Sequence, residues 1–171
     1  MPPLSKGESA ECDSHFLSSA SVRGITKQTD ATHGIVTVTQ VRMTLQLAIN
    51  IWLPNESAQN VIDHEDGHRQ ISEFYYESAD KLAERIATTY INRQIDITGA
   101  DLNAAANAIL QQLATNITDE YNNSLNPEPT QLLYDNITDH ARNRTNSKDA
   151  ADHAIKNAVI EAPNPSTTST K

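Results

Sequence analysis

Asp63-His64-Glu65-Asp66-Gly67-His68-Arg69-Gln70-Ile71 spells H-E-x-x-H inside a run with helical periodicity, and the rest of the chain is read outward from it. An α-helix turns about 100° per residue, so side chains four apart leave one face within about 40° of each other. Two imidazoles so placed can share one tetrahedral zinc ion. Glu65, one step round, comes within reach of a metal-bound water. A catalytic zinc takes three protein ligands and keeps one position for water, so a further ligand has to come from elsewhere in the chain.

Downstream of the motif, Ile71, Tyr75, Ala79, Leu82 and Ile86 recur at spacings of three and four. They predict one helix, capped by Asn55 or Ser57 and running to about Asn92. With Ile71 at zero on the wheel, His64 falls at about 20° and His68 at about 60°, so both share the inward face. Glu73 falls at about 200° and faces away, where an i,i+4 salt bridge with Arg69 is the favoured reading. A glycine inside a helix costs about 1 kcal/mol against alanine, so Gly67 needs a reason. Its place beside the histidine face would let a second segment approach closely, and the segment carrying His140 is the one expected there.

Upstream, Val41, Met43, Leu45, Leu47, Ile49, Ile51 and Leu53 alternate with Arg42, Thr44, Gln46, Ala48, Asn50 and Trp52. Strict period two predicts a long strand with one buried face, ended by Pro54, which cannot donate to a ladder. Ile35 to Thr39 extends it as a hairpin or a bend, and His15 to Val22 forms a weaker first strand. Arg93 to Gly99 reads as a connection. A second helix spans Ala100 to about Asn123, with Leu102, Ala105, Ile109, Leu113 and Ile117 as its stripe. Asn126-Pro127-Glu128-Pro129 breaks the chain. A short element covers 131–142, and a last helix Asp149 to Glu161. Residues 1–13 and 162–171 read as disordered. The expected architecture is one α+β domain over 14–161: a small antiparallel sheet packed on a helical bundle, with a zincin-like metal helix.

Composition narrows the function classes. A chain of 171 residues with 37% hydrophobic content can bury a core. A net charge of −9 argues against nucleic acid and against an anionic membrane surface. No apolar run reaches spanning length, so no membrane insertion is expected. Cys12 is the only cysteine, which excludes an intrachain disulfide and a cysteine-based zinc site. It reads as a spectator near a loose terminus. Met1 to Lys6 lacks the apolar core of a signal peptide, which keeps a cytoplasmic location open. The oligomeric state is not legible.

By residue type the third ligand is sought among His140, His153, Glu120, His15 and His33. His15 and His33 read as surface histidines, Glu120 lies to one side of its helix's stripe, and His153 is close to the tail. His140 is the most attractive, because Tyr134, Asp135 and Thr138 surround it. A phenol at Tyr134 could donate to an oxyanion, or be a core tyrosine with a satisfied hydroxyl. Asp135 or Asp139 could orient a ligating imidazole, or be solvated carboxylates.

His64-Glu65-Asp66-Gly67-His68-Arg69-Gln70-Ile71-Ser72-Glu73, followed by Tyr134-Asp135-Asn136-Ile137-Thr138-Asp139-His140, resembles a bacterial family of predicted secreted zinc-dependent proteases of otherwise unknown function. The family pattern is H-E-x-G-H-x-x-I-x-E and then Y-D-x-x-T-x-H-G, and the approach through Trp52-Leu53-Pro54 resembles it too. The resemblance covers about residues 35–142 and departs at Ala141, where the family has glycine. It implies zinc held by His64, His68 and His140, Glu65 as general base, and a periplasmic or extracellular protein acting on peptide or protein substrates. The function so implied is peptide hydrolysis by zinc-bound water, with Tyr134 assisting at the oxyanion. The alternatives are a non-catalytic zinc-stabilised binding or structural module of a secreted assembly, and a metal-free helical interaction domain.

Overall fold

The computed structural model describes residues 10–143 and 145–161, and the side chains as far as 157. Three strands and five helices follow one another as β1 (Glu11–Gln28), β2 (His33–Trp52), α1 (Gln59–Glu77), α2 (Ala79–Tyr90), β3 (Gln94–Thr98), α3 (Leu102–Ser124), α4 (Glu128–Thr138) and α5 (Ser147–Glu161). The class is α+β, with an antiparallel three-stranded sheet in the order β1-β2-β3. β1 and β2 form a long hairpin. Its turn is closed by Asp30, whose Oδ1 accepts from the backbone N–H groups of Thr32 at 2.8 Å and His33 at 2.9 Å. An aspartate side chain standing in for a backbone acceptor is what makes this residue a turn former. β3 lies against the start of β2, from His33 opposite Thr98 to Thr37 opposite Gln94.

Four expectations change. β1 is longer than His15 to Val22 and takes in Glu11, Cys12 and Asp13, while Ala10 before it is buried. The expected disorder of 10–13 is therefore corrected; residues 1–9 and 162–171 lie outside the described residues. Serine and threonine occupy too many of β1's half-buried positions for an apolar period to show. The segment read as a connection holds β3, whose five residues are too few for a periodic signal. The single long helix is two, parted at Ser78. Ala79, Leu82, Ala83 and Ile86 continue the buried stripe of Ile71 in phase, so hydrophobic periodicity cannot see the break. Finally, β2 buries Gly34, Val36 and Val38, whereas Val41, Met43, Leu45 and Leu47 are only half-buried. The buried phase shifts by one residue between Val38 and Val41.

The remaining helices fall close to expectation. Asp101 caps α3, accepting from Asn103 and Ala104 N–H at 3.0 Å each. α4 starts on the proline pair and ends at Asp139 in the left-handed region. Among the described residues no helix is long and apolar enough to cross a membrane.

Contacts divide the chain into two units interleaved in sequence. One comprises the described residues up to 14, 49–75 and from 127 on; the other comprises 15–48 and 76–126. The first is built on Ile71, Tyr134, Ala150, Ala151 and Ala154, with Tyr75, Leu133, Ile137 and Ile155 around them. Three small alanines let α5 lie close against α4. The second is built on Val36, Ile97 and Ala106, which join β2, β3 and α3. The candidate site belongs wholly to the first.

Candidate metal centre

His64, on the buried face of α1, is 5% exposed, and Glu65 beside it is also 5% exposed. Gly67 follows, and here α4 crosses closely. A Cβ on Gly67 would fall inside the van der Waals envelope of the Tyr134 hydroxyl and ring, standing 3.0 Å from Cε2 and closer still to Oη and Cζ. The glycine is thus required by the helix pair, as its wheel position suggests. Tyr134 is wholly buried, stacks on His64 with ring centroids 5.1 Å apart, and donates its hydroxyl to the His64 backbone carbonyl at 3.1 Å. Burial pushes its pKa up to about 12, so it stays a donor. Of the two readings of Tyr134, the geometry is that of the satisfied core tyrosine.

That crossing aligns a polar stripe of α4, Gln131, Asp135 and Thr138, with the histidine face of α1. Thr138 gives its one proton to the Tyr134 carbonyl at 2.9 Å, which leaves its oxygen to accept from His64 Nδ1 at 3.2 Å. The Gln131 amide donates to the His68 carbonyl at 3.1 Å and to Ser72 Oγ at 3.0 Å, and its Oε1 accepts from His68 Nδ1 at 2.6 Å. In their neutral form both imidazoles therefore carry their proton on Nδ1 and turn a bare Nε2 to the centre. Fixing the tautomer through the other ring nitrogen is how proteins prepare a metal-ligating histidine.

The two Nε2 atoms lie 3.2 Å apart, and Asp135 Oδ1 completes the triangle at 3.3 Å from His64 and 3.0 Å from His68. A tetrahedral zinc with bonds of about 2.0–2.1 Å has ligand–ligand edges of about 3.3 Å. The triangle has the size of one face of such a tetrahedron. Among the described residues these three form the group whose ligand atoms converge closely enough for one ion. Asp135 Oδ1 is buried and makes no well-formed hydrogen bond, although two ring nitrogens crowd it. Two lone pairs directed at a carboxylate repel it unless a positive charge stands between them. In the metal-free protein a proton supplies part of that charge. Burial opposes charging His68, but Asp135 and Gln131 outweigh it and hold the His68 pKa above its ordinary value. Burial likewise opposes ionising Asp135, yet His64 and His68 hold it well below the usual carboxylate range.

His140 stands at the solvent edge of the centre. Its side chain is 54% exposed and its Nδ1 is 3.6 Å from Asp135 Oδ1, with its ring centroid 6.5 Å from that of His64. It is carried on three consecutive left-handed residues, Asp139 (φ 48°), His140 (φ 51°) and Ala141 (φ 64°). The turn is held in place by Asn60, which donates to the Ala141 carbonyl at 2.8 Å, and by His140 N–H on the Asp135 carbonyl at 3.3 Å. A left-handed residue with a Cβ costs about 1–2 kcal/mol, more than the roughly 0.4–1 kcal/mol that glycine loses through unfolded-chain entropy. Ala141→Gly should therefore stabilise the protein by about 0.5–1 kcal/mol. Differential scanning calorimetry should read this as a rise of about 1–4 °C in Tm; a fall would show that the strain is relieved elsewhere.

The other candidates sit apart from this chemistry. His33 bonds Asp30 Oδ1 at 2.8 Å in the hairpin turn, and Glu120 accepts from Tyr90 at 2.8 Å. His15 and His153 are exposed, as is Asp139. Arg69 pairs with Glu73, and also with Asp66 at 2.7 Å. Cys12 is half-buried in β1 rather than at a loose end, and burial pushes its thiol up to about 11, which keeps it protonated. Gln131 was not identifiable as a site residue from composition. The signal that points to it is the spacing 131, 135, 138, a polar stripe on a short helix. No family model, curated protein or solved structure matches the chain.

Proposed function

We propose that His64, His68 and Asp135 hold one zinc ion and that the centre hydrolyses peptide bonds, with Glu65 as general base. The observation that carries the metal site is the convergence of two Nε2 atoms, each with its ring's Nδ1 already engaged, on a buried carboxylate oxygen that makes no well-formed hydrogen bond. Two imidazoles and one carboxylate are a donor set that zinc accepts, with a position left open. Zinc, when bound, lowers the pKa of a coordinated water and polarises a carbonyl. Glu65, next to His64 on the same helix, would take the water's proton and pass it to the leaving nitrogen as the C–N bond breaks. Tyr134, its hydroxyl committed to His64, holds the metal helix rather than an oxyanion. The resemblance supports hydrolysis, a peptide or protein substrate and a location outside the cytoplasm. It also makes His140 a ligand, which requires the His140 ring to turn inward from the solvent edge.

Glu65→Gln tests the catalytic half. Zinc should stay bound at one ion per chain while hydrolysis of a mixed peptide library falls by about 100-fold or more, the range for a lost general base. The burial of Glu65 favours a second reading, a zinc-stabilised binding or structural module, since a base is expected to meet water. Absence of cleavage by the zinc-loaded protein, with Glu65→Gln unchanged in every property, would select that module.

A further inference from the structure

β2 is a central strand only over its first third. β3 pairs with it from His33 to Thr37, and the ladder ends where Val38 bonds Asn92 N–H and the Arg93 carbonyl, each at 2.9 Å. From Thr39 to Ala48, all within the second unit, no strand lies on that side among the described residues. The backbone groups of an edge strand are a template for another chain, and natural edges are normally short, charged or covered. Within the second unit this edge borders a groove of about 470 Å³, with Val41, Met43 and Leu45 on the β2 wall and Asp80, Ala83 and Glu84 on the α2 wall. The three β2 side chains are the ones whose alternation promised burial and which are only half-buried. On the facing wall, Asp80 and Glu84 are like charges four apart, an arrangement that destabilises a helix. Neither is in an ion pair among the described residues.

We propose that this groove docks an extended peptide segment in which apolar residues alternate with lysine or arginine. The peptide adds to β2 as a strand over the stretch that β3 leaves open. Its main chain bonds the free edge, its apolar side chains enter between β2 and α2, and a basic side chain neutralises Asp80 and Glu84. Main-chain pairing supplies affinity in this mode and alternate side chains supply specificity. The acidic pair fixes the sign of the partner, since complementary charge selects among otherwise similar strands. The inference does not rest on the metal centre, whose residues lie in the other unit.

The test uses the full chain carrying Glu65→Gln, so that no probe is cleaved, and a fluorescent heptapeptide of alternating lysine and valine read by anisotropy. Binding is expected, weakened about tenfold or more when glutamate replaces lysine in the probe. N-methylation of one alternate set of amides should abolish it, and methylation of the other set should be tolerated. The surface double variant Asp80→Asn, Glu84→Gln should lose the preference for lysine while keeping its circular dichroism spectrum. No binding, equal binding of the glutamate probe, or indifference to both methylation sets would overturn the proposal. So would a concentration-dependent dimer dissociated by Met43→Asp, since a second copy would then be the occupant.

Discussion

Asp135→Ala is expected to lower zinc affinity by roughly 1000-fold, and His140→Ala by less than about 100-fold. The first figure follows from about 10–16 kcal/mol of binding free energy shared among three or four ligands, which makes one ligand worth about 3–4 kcal/mol. The second is the range for groups that support a site without forming it. The difference arises from placement. Asp135 Oδ1 is within 3.3 Å of both Nε2 atoms, whereas the His140 side chain is 54% exposed, its Nδ1 3.6 Å from Asp135 Oδ1 and its ring centroid 6.5 Å from that of His64. Asp135→Asn separates charge from shape, because it keeps an oxygen in place but removes the negative charge that balances the cation. Competition against a chromophoric chelator measures all three variants. A larger loss in His140→Ala than in Asp135→Ala would restore His140 as the ligand and leave Asp135 to orient it.

The contrast between these two residues shows what could be read from the chain. His64 and His68 are related by one helical turn, and a helix's own geometry puts them together whatever the rest of the fold does. Ile71 and Tyr75 mark α1 equally well, the stripe beyond marks α2, and the α+β class follows from one strand and several helices that are locally legible. The third corner depends on where α4 crosses α1, which no local period encodes. In the primary structure Asp135 and His140 are both acceptable ligands five residues apart. The α4 C-terminus places them differently, because the left-handed turn from Asp139 to Ala141 throws His140 to the solvent side while Asp135 stays on the helix face. The same limit explains β2. Its alternation from Val41 onward is real, but how fully that face is covered depends on what packs over it, which no local period encodes.

Gly67→Ala is the substitution expected to do most damage for the smallest change in size. Helix propensity alone predicts a gain of about 1 kcal/mol, because glycine is the worse helix former. The added methyl, however, has no room. It would overlap the Tyr134 hydroxyl and ring, and Tyr134 cannot withdraw, being wholly buried, bonded to the His64 carbonyl and stacked on the His64 ring. Overpacking costs about 1–3 kcal/mol and sometimes more; an overlap this deep belongs at about 3, which less the propensity gain of about 1 leaves a net loss of about 2 kcal/mol, or about 4–8 °C in Tm. Prising α4 from α1 would also move Asp135 relative to His64 and His68, so zinc affinity should fall with stability. The double-mutant cycle with Tyr134→Leu identifies the cause. Leucine lacks the outer ring atoms and the hydroxyl, so in that background Gly67→Ala should be neutral or stabilising, with a coupling energy of about 2 kcal/mol. An equal cost in both backgrounds, or a gain in the otherwise unaltered protein, would mean that the phenol does not lie over the glycine and that the ligand triangle is not assembled by this crossing.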